Sequence, residues 1–520
     1  MNLSVLKKIR VIFSILYFII ITLLFIDFTG LIPPSVYDSI VFLQFVPSLF
    51  KFKNLLILAG IGFILIFLLN ILFGRVYCSF ICPLGTLQDI ISFISRKIRK
   101  LKKYKYQFLK PYRFIKYSFL TIFVFCLFTS TSVVVSLLDP YSIYGRISSG
   151  LFRRILTYGN NILVSELQKI NMYSLYRVDL KAEHWTILAV TLFFFVLIIL
   201  FSVFKGRLYC NTICPVGTFL GLCSKVSFFK IEINKNSCTR CSLCIRSCKA
   251  GCIDIRNQSV DFERCVACYN CVNVCRDNAI TYTTKKSLPE IKPNSNINGN
   301  TRRQFLGILA LILAASIKKI KAQEIVTNTA TVRTKRQIPI SPPGSISVEM
   351  FNASCTACHL CISACPTHVL QPSYTDYGLI GFMQPVMDNQ AGFCNFECIK
   401  CSEVCPTGAI TPIELGSKKL TQIGIAHFEQ RNCIVETEGT DCGACAEHCP
   451  TKAVTMIPWR NGLVIPNVTS EICIGCGACE YACPTTPYKA IYIEGNKVHL
   501  TAREPDETTQ KKEPEENFPF

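Results

Sequence analysis

Apolar residues run almost unbroken through 11–32, 55–73, 117–138 and 185–204, and the chain between these runs is more polar or basic. Each run is close to the roughly 20 residues that a helix needs to cross a bilayer. The pattern predicts a four-span α-helical membrane bundle over residues 1–222. Arg96, Lys97, Arg99, Lys100, Lys102, Lys103, Lys105 and Lys110 crowd the segment between the second and third runs, and Lys205 and Arg207 follow the fourth. Such an excess marks cytoplasmic loops. Residues 33–54 and 139–184 then face the other side, although Arg146, Arg153, Arg154 and Arg177 dilute the bias. Asp27 falls near the far end of the first run, at the interface, where a carboxylate is tolerated. Asp38, Gln44, Asp139 and Tyr141 are polar candidates in the outer loops.

Beyond residue 222 the long runs give way to short β-like segments, Cys252–Ile255 and Ala279–Thr283, set among dense cysteine groups. They predict α+β, bacterial-ferredoxin-like domains over 223–283 and 349–500, so the fold class is mixed. Residues 284–300 and 323–348 read as linkers. The stretch 501–520, rich in Glu, Lys, Thr and Pro, reads as a disordered tail. Between the linkers lies 301–322, where Arg302 and Arg303 precede a 13-residue apolar run, Phe305–Ile317. That run is short for a span and suits a signal core. Twin arginines before such a core direct export of folded proteins. The expectation is a bacterial inner-membrane protein with 223–283 cytoplasmic and everything after about residue 322 periplasmic. Ile320–Ala322 is a poor cleavage site, so the segment is expected to stay as an anchor.

The chain has 31 cysteines. Tight C-x2-C-x2-C-x3-C groups point to metal rather than to disulfides. Three cysteines at x2 spacing and a fourth after x3 is the ferredoxin pattern, not a pair of zinc knuckles. In two-cluster ferredoxins the fourth cysteine of each run serves the other cluster. The inner sets are therefore Cys238, Cys241, Cys244 with Cys275, and Cys265, Cys268, Cys271 with Cys248. Lys249 and Arg276 replace the proline that usually follows. The outer half holds four groups, one with x3 in place of the first x2 and one with an eight-residue gap. Pairing first with second and third with fourth gives Cys355, Cys358, Cys361 with Cys405, and Cys394, Cys398, Cys401 with Cys365. It also gives Cys433, Cys442, Cys445 with Cys483, and Cys473, Cys476, Cys479 with Cys449. Nesting first with fourth and second with third is the alternative. Either way the cofactors are six [4Fe–4S] clusters. Cys126, Cys223 and Cys252 fall outside the sets and read as structural. His359, His368 and His448 read as surface or supporting groups.

The bundle carries an internal repeat. Gly74–Thr86 and Gly206–Thr218 share Gly-Arg-x-Tyr-Cys-x3-Cys-Pro-x-Gly-Thr, so that Cys78 and Cys82 answer Cys210 and Cys214. Repeats of paired spans build sites at their shared interface. Four thiols meeting there are a candidate for a further iron centre or a redox disulfide; inert thiols at a tight turn are the plainer alternative. The formal charge is +21. Six all-cysteine clusters at −2 each would reduce it to about +9. Much of the remainder flanks apolar runs, which excludes nucleic acid as the partner.

Residues 1–283 resemble NapH-type membrane subunits of quinol dehydrogenases. The likeness rests on the apolar runs, the two Y-C-x3-C-P-x-G-T motifs, Leu138–Ser142 and the two-cluster module. Residues 301–500 resemble NapG and MauM/NapG-type polyferredoxins in the twin arginines, Pro342–Ser345 and the gap pattern. The chain thus looks like a NapH–NapG fusion. The resemblance implies a quinol dehydrogenase that takes electrons from membrane quinol and passes them to a periplasmic acceptor, a cytochrome c or a reductase of a nitrate-reducing system. An electron-donating maturation factor and a redox-sensing cluster protein are the alternatives.

Overall fold

The computed structural model describes residues 3–27, 30, 32–55, 60–98, 106–178, 185–284 and 336–504. The twin-arginine segment 301–322 lies outside them, as do most of both linkers and the tail beyond residue 504.

The apolar runs become helices of unequal length. Helix α1 (Leu3–Ile26) leads into α2 (Pro34–Val41), α3 (Phe45–Leu55) and α4 (Ile61–Phe73). After α5 (Tyr77–Phe80) and α6 (Pro83–Lys97), the third run forms α7 (Arg113–Phe128) and α8 (Ser132–Leu138). It breaks at Ser130, whose φ is +55°. Next come α9 (Pro140–Ile147), α10 (Arg153–Lys169) and α11 (Trp185–Lys205), then α12 (Leu208–Thr212) and α13 (Pro215–Ser224). Among the described residues, Val5–Ile26 and Trp185–Lys205 are the two helices long and apolar enough to cross a membrane. Helix α4 has 13 residues, about 20 Å at 1.5 Å per residue. Two of the four expected spans are therefore shorter than the runs that predict them.

The inner module is a small ferredoxin fold. Strand β1 (Phe229–Ile233) pairs antiparallel with β4 (Ile280–Thr284) around the hairpin β2 (Ile253–Asp254) and β3 (Ser259–Val260). The outer module repeats the scheme. Strand β7 (Thr421–Phe428) pairs with β10 (Ile491–Thr501) around β8 (Val454–Pro458) and β9 (Val464–Val468). Before it stands the hairpin β5 (Leu370–Pro372) and β6 (Pro385–Met387). Residues 336–348, assigned above to a linker, belong to this module: Ile340, Ser341 and Ser345 are buried, and Arg336 pairs with Glu480. Thr501 ends β10 and Ala502 is buried, so the module runs slightly past residue 500.

The two modules grip opposite ends of the bundle. Helix α1 packs on both modules, on Asn270–Val274 of the inner one and on Leu360–Ala364 of the outer one. Helix α11 does the same. Its Ile187 packs with Ala357 and Met383 of the outer module. Just past its other end, the Arg207 amide donates to the Lys249 carbonyl of the inner module at 3.0 Å. Both membrane-length helices thus run from one module to the other.

Candidate iron-sulfur sites and the thiol centre between them

The cysteine loops are shaped by backbone conformation. In four of the six groups, the residue two after the first cysteine and the one after the second both have positive φ. These pairs are Arg240 and Ser242, Ala267 and Tyr269, Ala357 and His359, and Gly475 and Gly477. Alternating hands of this kind turn successive N–H groups into one concavity, which receives an anion. The two groups with altered gaps do not show the pair.

The loops bring together the cysteines that their spacing pairs. Cys238, Cys241, Cys244 and Cys275 line one cavity. Cys365, Cys394, Cys398 and Cys401 line another. Cys405 lies in the electrostatic field of Cys355, Cys358 and Cys361. Cys483 stands in the same relation to Cys433 and Cys445, and Cys449 to Cys473, Cys476 and Cys479. The arrangement is the adjacent one rather than the nested one. Burial pushes the Cys358 thiol up to about 12, and metal binding releases the proton of a ligating cysteine. Concave amides and converging thiols suit an anionic cluster with thiolate ligands.

Three details escaped the spacing argument. Cys252 lines the cavity of Cys248, Cys265, Cys268 and Cys271, and its sulfur is 3.5 Å from that of Cys248. Sequence marks it only as a cysteine four residues past a ligand. Second, every outer group ends in Cys-Pro-Thr, and each threonine hydroxyl reaches the last cysteine. Thr367, Thr407, Thr451 and Thr485 lie 3.6, 3.8, 3.7 and 3.1 Å from Cys365, Cys405, Cys449 and Cys483. Neither inner group has this donor. Hydrogen bonds to sulfur help set cluster potentials. Thr485→Val is expected to lower the potential of its cluster by on the order of 40 mV, equivalent to losing about 1 kcal/mol; an EPR-monitored redox titration reads it. Third, the histidines make backbone bonds. His359 Nε2 lies 2.9 Å from the Met383 carbonyl, and His448 Nδ1 lies 2.9 Å from the Ala444 carbonyl.

The outer groups stand in line. Helix Leu360–Ala364 packs on Lys400–Glu403. The Cys394 amide donates to the Cys476 carbonyl at 2.9 Å, and helix Ala478–Ala482 packs on Ala444–Glu447. The order from the bundle outwards is first, second, fourth and third group.

Between the modules the repeat closes on itself. Cys78, Cys82, Cys210 and Cys214 are all buried. Cys82 and Cys214 stand at the N-termini of α6 and α13, each followed by a proline in the first turn. The Gly217 amide donates to Cys214 Sγ at 3.3 Å. Each repeat's arginine crosses to the other. Arg75 donates to the Cys210 carbonyl at 3.1 Å, and Arg207 donates to the Cys78 carbonyl. The glycines make this possible. A Cβ on Gly85 would lie 2.4 Å from the Cys78 carbonyl, and one on Gly217 would lie 2.4 Å from that of Cys210. Gln88 Oε1 accepts from Cys210 Sγ at 3.5 Å, yet Gln88 Nε2 and Arg75 Nε are buried with no partner in the protein. Orphaned donors beside four thiols fit an anionic centre. Among the described residues no three ligand side chains close on a single point, so a lone metal ion does not fit as placed.

Contacts join this centre to the inner module directly and to the outer one through α8 and α9. Arg75 donates to the Glu263 carbonyl at 3.1 Å, and Asn211 to the Ala250 carbonyl at 3.0 Å. Lys116, Lys225 and Tyr117 hold the Glu263 carboxylate at 2.6–2.7 Å. Burial alone would raise its pKa, but these three bring it down to about 2. On the outer side, Tyr209 donates to the Leu138 carbonyl at 3.3 Å, and Arg146 to the Ala357 carbonyl at 3.2 Å. Gly145 lies against the Cys358 carbonyl, which a Cβ would approach to 2.3 Å. Gly145→Val is expected to lift the outer module from α9. Reduction of the outer clusters through the inner ones should slow at least about tenfold, with iron content unchanged, because docking misplaced by ångströms costs orders of magnitude. Stopped-flow absorbance checks it.

The polar residues of the outer loops are occupied structurally. Asp27 accepts from the Gly30 amide at 2.9 Å, and Asp38 pairs with Lys51 at 2.9 Å. Gln44 is bonded between Tyr17 and Tyr77, both at 3.1 Å. Asp139 caps α9 through the Ser142 amide at 2.9 Å. Tyr141 is buried against Phe25, and Cys126 is buried in α7.

Comparison with known proteins agrees with this geometry. Families described as 4Fe-4S binding domains match residues 55–102 and 187–235, 235–251 and 259–281. Those described as 4Fe-4S dicluster domains match 354–410 and 439–487. The first pair of matches covers the four thiols of the repeat. The putative electron transport protein YccM of Escherichia coli is 25% identical over 232 residues, covering 44% of this chain and 55% of YccM. The methylamine utilization ferredoxin-type protein MauM of Methylophilus methylotrophus is 34% identical over 146 residues, covering 26% of this chain and 63% of MauM. The ferredoxin-type protein NapF of E. coli is 27% identical over 157 residues, covering 30% and 87%. This chain spans between half and two-thirds of the length of the first two. No solved structure matches. The chain carries several 4Fe-4S binding domains and is related to ferredoxin-type electron transport proteins.

Proposed function

We propose that this protein is a membrane-bound quinol dehydrogenase of the NapH/NapG type, carrying electrons from quinol to an acceptor on the opposite side of the membrane. The observation that carries the reading is the stacking: cysteine groups at one end of the bundle, four thiols between, and a line of four groups at the other end. Such clusters, when bound, store and release one electron at a time. The chain's own residues fix their spacing. Arg75 and Arg207 tie the thiol centre to both repeats, while Asn211 and Arg146 reach the two modules. This supplies the intermediate stop that a crossing of roughly 30 Å requires. Two membrane-length helices that both run from module to module support a reading with the modules in opposite compartments, as does the twin-arginine segment.

Quinol has a fitting cavity of about 610 Å³, lined by Leu6, Phe13, Leu69, Phe80, Tyr269 and Tyr282 among others. Phe80 lies between Cys78 and Cys82, and Tyr269 between Cys268 and Cys271. An apolar pocket with a few polar groups is the usual form of such a site. Here the two phenols would meet the head group beside two cysteine loops. Oxidation there would release two protons to solvent and two electrons, which a cluster held by Cys248, Cys265, Cys268 and Cys271 would take up one at a time. A second cavity, of about 520 Å³ beside Phe45 and Phe219, has Lys53 as its polar group and, of the segments that carry the cysteine motifs, meets only the helix after Cys214. The test is anaerobic titration of the purified protein with a reduced quinol analogue. Bleaching of cluster absorbance is expected, and Val76→Trp, which fills the first cavity from its wall, should slow it. No bleaching in the unmodified protein removes the reading.

A further inference from the structure

The far inner set, Cys238, Cys241, Cys244 and Cys275, is not needed for that path. The near set, around Cys248 and Cys268, adjoins the bundle through Lys249 and Ala250. A route from the cavity at Tyr269 and Phe80 to the thiol centre runs directly or through the near set, and leaves the far set as a side branch. Yet the far set is the most open of all. Cys241 is the one exposed cysteine among the 31.

Its surroundings are basic. Lys235, Arg240, Arg246 and Arg276 are exposed, and no ion pair involving them occurs among the described residues. Arg240 lies between Cys238 and Cys241, and Arg276 follows Cys275 directly. Of the acids nearby, Asp277 accepts from Thr239 at 2.6 Å, and Glu232 lies on the β1 strand. The two residues that replace the usual prolines have separate fates. Lys249 is buried on Asp89 at 3.0 Å, whereas Arg276 stays free at the open cluster loop. At the far end of the outer line the exposed charges are opposite in sign, with Glu436, Glu438, Asp441 and Glu447 around Cys442 and Cys445.

The geometry points to a docking port at this basic rim for a soluble, acidic one-electron carrier of the flavodoxin or ferredoxin class. Complementary charge steers such encounters and raises their rates. The reduced carrier loses one electron and an oxidised cluster held by Cys238, Cys241, Cys244 and Cys275 gains it, with no bond formed and no proton moved. The inner module then accepts electrons from the aqueous phase as well as from the membrane. The port rests on occupancy of that set and not on the quinol reading.

The holoprotein in nanodiscs is mixed anaerobically with reduced flavodoxin, and cluster bleaching is followed by stopped flow. The second-order rate is expected to fall at least tenfold between about 0.05 and 0.5 M salt, where screening shortens sharply. Arg246→Glu/Arg276→Glu should cost another tenfold or more while quinol-driven bleaching is unchanged, and Arg246→Lys/Arg276→Lys should restore it. Calorimetry with oxidised flavodoxin should show binding that the glutamate variant loses. If that variant loses iron, Lys235→Glu/Arg246→Glu, with no ligand neighbour altered in the first-cysteine loop, takes its place with the same expectation. A salt-independent rate, or charge-reversed variants that match the unmodified protein in rate and binding, overturns the port. Bleaching by flavodoxin with none by quinol leaves the port standing and removes the quinol reading.

Discussion

Cys82→Ser/Cys214→Ser should separate the two ends of the protein electrically. With quinol supplied, the inner clusters are expected to bleach as before, while reduction of the outer clusters slows by at least about a hundredfold. The reasoning is geometric. Cys210 lies between Tyr209, which donates to the Leu138 carbonyl at the end of α8, and Asn211, which reaches the inner module, so the path through the middle of the bundle runs past these thiols. Serine is close to cysteine in size, and both positions keep their role at a helix start, so folding should survive. Iron analysis adds a second result. A loss near four irons per chain identifies a cluster at the repeat, and an unchanged count identifies a thiol pair. Outer clusters reduced at the original rate would mean that electrons take another way.

Asp89→Ala should be the most damaging single change to the fold. Arg10 at 3.1 Å, Arg207 at 2.9 Å and Lys249 at 3.0 Å converge on this one carboxylate. They come from α1, the start of the second repeat motif and the inner module, and all are buried. Removing the acid leaves three cations without compensation in a low-dielectric site, which costs about 3–5 kcal/mol or more. Thermal unfolding and release of the inner module to protease should both show it. Asp89→Asn should be intermediate. The pH dependence has a definite sign. Burial alone would raise the Asp89 carboxyl, but Arg207, Lys249 and Arg10 outweigh it and hold the group far below the usual 3.8. Its contribution is therefore complete at neutral pH and declines only as pH falls below about 4.

The cysteine spacings made the ferredoxin modules legible, because a cluster needs its thiols at fixed separations and short loops supply few ways to provide them. The repeat was legible for the same reason, since Arg75 and Arg207 each bond the other copy's first cysteine carbonyl and Gly85 and Gly217 leave room for them. Hydropathy was a coarser guide. It registers apolar content but not where a helix breaks, so the turn at Ser130 and the 13-residue α4 were hidden inside longer runs. The stretch 336–348 looked like a linker because its burial depends on Glu480 and Glu494, well over a hundred residues away.

What the amino-acid order determined by itself was the local chemistry: which cysteines share a loop, where the two motifs repeat, and which segments are apolar. Tertiary structure alone decided what lies beside what. It set the outer groups in the order first, second, fourth, third, placed Cys252 against Cys248, and brought both modules onto opposite ends of one bundle. It also gave Lys249 and Arg276, equivalent in sequence, opposite fates on a buried acid and an open surface. The reason is that ligand spacing is a property of a few consecutive residues, whereas conduction and docking depend on separations between segments far apart in the chain, which only packing fixes.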